Sequence, residues 1–192
     1  MAPFYGKLEK KFQEHFKIAP TLQQLRQIAP PGQLTILQGI ITGWGLLAQY
    51  SINTPIRVQY FLAQNAHESD SFKTTKEYAS GAAYEGRLDL GNTQPGDGVR
   101  FKGRGLTQLT GRANYEAYSK ASGIDYVSNP AKLEQMPDAL AVSCWFWQTH
   151  GCNELSDQKM FLAVTKRING GYNGLQDREA FLARIQQLNI GP

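Results

Sequence analysis

Glu68 stands where an acid/base group would be built. It closes the run Thr54-Pro55-Ile56-Arg57-Val58-Gln59-Tyr60-Phe61-Leu62-Ala63-Gln64-Asn65-Ala66-His67, apolar on most sides, and opens onto a segment dense in glycine. A carboxyl group just beyond Phe61, Leu62 and Ala63 loses solvation, which favours its protonated form near neutral pH. A glutamate at the carboxyl end of a helix also opposes the helix dipole and gains nothing there as a surface residue. A protonated carboxyl group facing an ionised one is the chemistry of glycosidic-bond cleavage, and an inverting pair stands roughly 6.5–9.5 Å apart so that a water fits between. The second carboxylate is sought among Asp70, Glu77, Glu85, Asp89 and Asp97; spacing through a glycine-rich loop does not choose among them.

The neighbours of these carboxylates are read more plainly. His67 is expected to fix the glutamate or a nearby backbone group rather than to act as a base. Tyr78 and Tyr84 offer ring faces on which a sugar could stack, or they cover the glycine-rich segment. Trp145 and Trp147, in a fully apolar run, belong to a core. Lys102, Arg104 and Arg112 either touch an anionic glycan or form a solvated basic loop. Cys144 and Cys152, seven residues apart, are read as two free thiols. With His150 they lack the spacing and the fourth ligand of a zinc site, so no metal and no cofactor is expected.

Elements must place these groups. Leu22, Leu25 and Ile28 mark one helix face, stopped by Pro30-Pro31-Gly32. A single helix is expected over Leu34 to Tyr50, with Gly39, Gly43 and Gly45 allowing close packing. Asn53-Thr54-Pro55 starts the central helix, buried because it is apolar on most sides, with Glu68 at its end. Between Gly81 and Gly111 lie 8 of the 19 glycines, which predicts turns around short extended pieces, with Leu106 to Thr110 as the strand candidate. Helices resume over Ala113 to Ser122 and Pro137 to Thr149. Another, capped by Ser156 or Asp157, carries Phe161, Val164 and Ile168, and the last covers about Leu175 to Leu188. The sum is a mostly α (α+β) chain with a small irregular β wing.

The 192 residues suit one domain at 21–192 preceded by an N-terminal arm at 1–20. Net charge is +4, which fits an anionic polymer such as a bacterial wall. No phosphate-cradling loop or base-reading motif is present, so nucleic acid is not an expected partner. Met1 to Lys11 lacks the apolar core and cleavage site of a signal peptide, and Ile36 to Ala48 is too short and interrupted to span a bilayer. The expectation is a monomer made in the cytoplasm without a classical signal, inserted in no membrane.

Several ordered motifs resemble the family-19 glycoside hydrolases, most like their phage-endolysin and bacterial branch. They are Ala66-His67-Glu68-Ser69, Glu77-Tyr78-Ala79-Ser80-Gly81, Tyr84-Glu85-Gly86-Arg87 and Asp89-Leu90-Gly91-Asn92-Thr93-Gln94-Pro95-Gly96-Asp97-Gly98. The likeness continues through Phe101-Lys102-Gly103-Arg104-Gly105-Leu106-Thr107-Gln108-Leu109-Thr110-Gly111-Arg112-Ala113-Asn114-Tyr115, Trp145-Phe146-Trp147 and Ile168-Asn169-Gly170-Gly171, so that it spans Thr21 to Leu188. It implies a lysozyme-like, two-lobed helical domain with a cleft for β-1,4-linked N-acetylated glycans, and inversion without cofactor.

Carried over by position, Glu68 is the general acid and Glu77 the second carboxylate that activates water, with Glu85 its rival. Thr110 matches a hydroxyl that holds the water, Gln108 and Asn114 match contacts to the substrate amide, and Asn169 matches a polar residue of the cleft. Arg178 matches an arginine that pairs with the catalytic glutamates; beside the second one it would keep that group ionised. Where many relatives have Ser-Gly-Gly-Phe this chain has Ser69-Asp70-Ser71-Phe72, so Asp70 either raises the proton affinity of Glu68 or decorates the rim. The function implied is hydrolysis of peptidoglycan glycan strands, favoured by the Asp89-to-Gly98 loop and the lack of a chitin-binding module. A chitinase is the alternative enzyme, and a non-catalytic glycan-binding protein the alternative of another class. Such a lysin acts on the cell wall after release or delivery, with a holin or a secretion apparatus as partner.

Overall fold

The structure is a computed structural model that describes residues 19–191; the expected N-terminal arm falls outside them up to residue 18. Helix α1 (Leu22–Ile28) opens with a capping box, in which the Gln24 N–H donates to Thr21 Oγ1 at 3.1 Å and the Thr21 N–H donates to Gln24 Oε1 at 2.9 Å. The single helix expected over Leu34 to Tyr50 is two, α2 (Leu34–Thr42) and α3 (Gly45–Gln49). The glycine at the break is a packing requirement. A Cβ on Gly43 would lie 2.9 Å from Leu140 Cδ2 and 3.0 Å from the Gly39 carbonyl oxygen. The chain therefore tightens here, with the Leu46 N–H bonding the Gly43 carbonyl at 2.9 Å, and lets a later helix come close.

Helix α4 (Pro55–Glu68) begins as its sequence predicts, with Thr54 as cap and proline in the first turn. Val58, Phe61, Leu62, Ala63 and Ala66 are buried on it, and so are Gln64 and Asn65. The chain after it is helix-poor: 3-10 turns at Ala82–Tyr84 and Leu88–Leu90, then the short α5 (Asp97–Arg100). Leu106 to Thr110, the strand candidate, is not a strand. Gln108 has φ +58, and pairing among the described residues is limited to isolated bridges joining Arg104 to Lys76 and to Leu109. Helix α6 (Arg112–Ser122), a 3-10 turn at Pro130–Glu134, α7 (Asp138–Thr149), α8 (Cys152–Asp157), α9 (Phe161–Asn169) and α10 (Leu175–Gln187) complete the chain. Ser156 and Asp157 do not cap α9 but end α8, where Asp157 pairs with Arg57. Among the described residues no helix is long and apolar enough to cross a membrane.

Two cores make two lobes. The larger gathers apolar residues of α1 to α4 and α7 to α10, with α4 packed most extensively on α10. The smaller is built from Phe101, Leu109, Tyr115, Tyr118, Tyr126, Leu133 and Val142. Helix α7 belongs to both, because Leu140, Cys144 and Trp147 face the first core and Val142 the second, with Trp145 packed against each. Trp147 is fully buried, and so are the free thiols Cys144 and Cys152, whose burial raises their proton affinity.

The smaller lobe is held by polar side chains more than by apolar ones. Arg104, buried, bonds Glu134 at 2.8 Å and the Tyr115 hydroxyl at 3.0 Å, and Lys102 donates to the carbonyls of Glu77 and Ala79. Arg112 grips Asp97 through Nε at 2.8 Å and Nη2 at 2.5 Å. The three basic residues are structural ties, neither a solvated face nor groups free for an anionic glycan.

The Arg112 guanidinium holds the Asp97 carboxyl, 1% exposed, below the usual carboxylate range. Because its folded value is depressed, the stability it contributes is complete above the ordinary value of about 3.9 and fades as pH falls through the folded one. Asp97→Asn should therefore lower stability by about 3 kcal/mol at pH 7. The gap to wild type in thermal melts should close below about pH 4. A gap that stays constant from pH 7 to pH 2 would contradict this account of the lobe.

Candidate active site

Glu68 ends α4 against the start of α10. Its Oε1 accepts from Arg178 Nη2 at 2.5 Å, while Arg178 Nη1 donates to Gln64 Oε1 at 2.5 Å and Nε to the Asn173 carbonyl at 3.3 Å. Arg178 is fully buried, and the Glu68 side chain is 17% exposed. The expected surroundings of Glu68 are thus corrected. Its partner is a cation, not an apolar pocket, and Arg178 sits on the first glutamate, not the second. The reason is helical register: Gln64 and Glu68, four residues apart, share the face of α4 that meets α10. Beside this pair, His67 Nδ1 lies 2.7 Å from Asp177 Oδ2. A Cβ on Gly174, whose φ is +70, would lie 2.1 Å from the His67 ring, so the imidazole rests directly on backbone. The polar partner of His67 is thus Asp177 rather than Glu68.

The turn after Glu68 is unusual. Asp70, Ser71 and Phe72 have φ of +51, +62 and +57, three left-handed residues in succession without a glycine. Ser69 Oγ accepts from the Phe72 N–H at 3.1 Å and the Ala66 carbonyl accepts from the Ser71 N–H at 2.6 Å, which delivers the Phe72 ring into the core. Asp70 spends its charge on Lys73 Nζ at 2.7 Å and the Tyr78 hydroxyl at 3.0 Å. Lys73 holds the Asp70 carboxyl below its ordinary range, so Asp70 belongs to the rim. Tyr78 is 73% exposed, its ring open to solvent.

Glu77 is held on the other lobe. Its Oε1 accepts from the Tyr84 hydroxyl at 2.9 Å and its Oε2 from the Gly103 N–H at 3.0 Å, while its own N–H bonds the Gly103 carbonyl at 3.0 Å. A Cβ on Gly103 would meet Gln108 Oε1 at 3.0 Å and Glu77 Oε2 at 3.2 Å, which places those two side chains over the same backbone. The Gln108 amide donates to the Gly105 carbonyl, the Thr110 hydroxyl to the Gln108 carbonyl at 2.9 Å, and the Asn114 amide to the Thr110 carbonyl at 2.7 Å. Glu77, Gln108, Thr110 and Asn114 thus form one wall. It is tied to the other lobe through Thr107, whose N–H donates to Ser143 Oγ on α7 at 3.0 Å and whose hydroxyl lies 3.5 Å from Asn65 Oδ1 on α4.

Two candidates stand apart. Glu85 accepts from the Gly96 and Gly98 N–H groups at 2.6 and 2.9 Å, so both oxygens brace the loop into α5. Asn169 ends α9, exposed, and no hydrogen bond among the described residues joins it to either glutamate. Sequence reasoning missed Gln64, Asp177 and the hydroxyl role of Tyr84. Gln64 was signalled by its spacing to Glu68, a polar pair inside an apolar helix.

No family model matches the chain. A glycosyl hydrolase family 19 domain-containing protein of Haemophilus influenzae is 35% identical over 108 residues, covering 56% of this chain and 52% of the relative. An endochitinase of Arabidopsis thaliana is 35% identical over 111 residues, covering 57% of this chain and 38% of the relative. The chain thus spans about half of the first relative and less of the second. Chitinase C from Streptomyces griseus superposes over 90% of this chain and 78% of its own with TM-score 0.71 at 21% identity. A bacterial family 19 chitinase superposes over 90% and 95% with TM-score 0.73 at 21% identity. These two show the lysozyme-like, mostly helical fold.

The left-handed turn after Glu68 makes one prediction. A left-handed residue with a Cβ costs about 1–2 kcal/mol, and glycine gives back part of the gain through unfolded-state entropy. Ser71→Gly should raise the urea midpoint, worth about 0.5–1 kcal/mol. A lowered midpoint would mean that the Ser71 side chain stabilises the turn in a way its backbone bonds do not reveal.

Proposed function

We propose that the chain, similar in sequence to a family-19 domain protein and in fold to family-19 chitinases, hydrolyses β-1,4 bonds of N-acetylated glycans by inversion. The observation that carries this reading is that Glu68 and Glu77 are each held by hydrogen bonds, and in different ways. Glu68 has one oxygen committed to Arg178, and its Oε2 is left to protonate the leaving glycosidic oxygen. Arg178 then stabilises the carboxylate that remains. Glu77 has a neutral donor on each oxygen, and a carboxylate has about four lone-pair sites, so acceptor capacity remains for the proton of an attacking water. Thr110 donates its own proton to the Gln108 carbonyl, which orients its lone pairs to accept from that water. No metal or cofactor enters any step.

Peptidoglycan glycan strands are the proposed substrate, supported by the net charge of +4 and by the Asp89-to-Gly98 motif. Chitin is the second reading, favoured by the names of the plant relatives, which are endochitinases. Incubation with purified glycan strands and with chitooligosaccharides, followed by reducing-end analysis, separates the two. Release from glycan strands is expected; release from chitooligosaccharides alone would make the protein a chitinase.

The assignment of roles has its own test. Glu68→Gln keeps an amide oxygen for Arg178 while removing the transferable proton. It should cut turnover at least ~100-fold with glycan binding retained. Glu77→Gln should be more damaging than Glu85→Gln, whose carboxylate braces a loop. Unchanged turnover in Glu68→Gln would overturn the assignment of Glu68 as the acid, and the reverse order of the other two would move the water to Glu85.

A further inference from the structure

The sequence offers Tyr84 as a ring on which a sugar could stack, yet its environment is that of a donor. The side chain is half-buried, and its hydroxyl donates to Glu77 Oε1 at 2.9 Å. Burial, and then the neighbouring Glu77 carboxylate, raise the proton affinity of the phenol, so it stays a donor across the neutral range. The backbone that carries it is fixed from several sides. The Tyr84 carbonyl accepts from Asn92 Nδ2 at 2.8 Å and from the Arg87 N–H at 3.2 Å. Asn92 is fully buried, and its Oδ1 accepts from the Arg112 N–H at 2.8 Å at the start of α6. The next residue, Glu85, pins the far side of the loop through Gly96 and Gly98. Few residues of an irregular loop are held this firmly, and the fixation ends on one outward-reaching group, the phenol proton directed at Glu77.

We propose that Tyr84 is the positioning residue of the second glutamate: with the Gly103 N–H it clamps the Glu77 carboxylate in a single orientation from which it addresses the water. The inference rests on the reading of Glu77 as the group that activates water. A carboxylate with one donor on each oxygen cannot rotate about its last torsion without breaking a bond. Catalytic groups lose rate when misplaced by fractions of an ångström, so a clamp of this kind acts on turnover and not on substrate affinity. The Asn92, Glu85 and Arg112–Asp97 contacts hold the clamp in place.

Tyr84→Phe separates the two roles of this side chain, because it keeps the ring and removes the donor. Kinetics on the glycan that the wild type cleaves, with melting curves alongside, are measured for Tyr84→Phe, Glu77→Gln and the double variant. Tyr84→Phe is expected to lower kcat about 10-fold, the scale of one hydrogen bond to a charged group, with KM within about twofold of wild type. In the Glu77→Gln background the same substitution is expected to cost nothing further, since its effect runs through the carboxylate. Full turnover in Tyr84→Phe, a change confined to KM, or an equal loss in both backgrounds would overturn the proposal. Melting temperatures that fall together with kcat in both backgrounds count with the last of these. If Glu77→Gln itself retains wild-type turnover, the reading of Glu77 fails and the clamp with it. If Glu77→Gln is inactive and Tyr84→Phe is not impaired, only the clamp fails.

Discussion

Arg178 is the constraint on which the larger lobe depends. A guanidinium with no exposure loses its hydration, and such a cation is tolerated only where partners replace the water it gave up. Three do so here: the Glu68 carboxylate, the Gln64 amide and the Asn173 carbonyl. Because the first two lie on α4 and Arg178 on α10, satisfying the cation fixes how the two helices meet. Gln64 passes the constraint on, its Nε2 donating to Thr165 Oγ1 on α9 at 2.8 Å. Removing either partner of a buried pair typically costs about 3–5 kcal/mol, so stability and the placement of the proposed acid are set by one interaction.

The smaller lobe solves a different problem. From Thr74 to Gly111 the chain has few helical turns and no ladder, so its backbone N–H and carbonyl groups need other partners. Side chains supply them. Asn92, Glu85, Asp97 and Lys102 each bond backbone, and Arg104 and Arg112 bond both carboxylates and carbonyls or amide oxygens. Such a mesh is specific because every group in it is needed by another. It is also why a segment that reads as turns and polar residues holds a catalytic candidate as firmly as a sheet would.

How far the sequence reveals this differs between the lobes. Thr54-Pro55 followed by an apolar run announces α4, and local rules suffice because a buried helix needs only caps and periodicity. The close approach of Leu140 to Gly43, from almost one hundred residues away, is not legible. Leu106 to Thr110 lies among turn residues as a short extended piece would, but Gly105 and Thr107 are bonded to Thr75 and to Ser143 on α7. Tertiary bonds overrode the local pattern. At the site the residues themselves were legible, and their partners were not. Arg178 stood out as an arginine for the glutamates, but its choice of Glu68 is decided by the Gln64 register. Tyr84 stood out as an aromatic ring, while its hydroxyl bonds Glu77 and its backbone carbonyl is held by Asn92.

The two glutamates lie nine residues apart in sequence yet on different lobes, so their separation is a property of how the lobes meet rather than of the chain between them. Helix α7 is the common wall, contributing to both cores, and the loop at 105–107 is stitched to it by the bonds of Leu106 to the Ala139 carbonyl and of Thr107 to Ser143. The Thr107 hydroxyl then reaches Asn65, one turn before Glu68 on α4. On the proposed reading, a glycan bound between the lobes would meet the proposed acid, seated on a buried cation, and the proposed base, seated on a tyrosine and a backbone amide. Charged support on one side and neutral support on the other give two like groups different surroundings. Inversion demands a fixed gap, and here packing across α7, not loop length, is what can hold it.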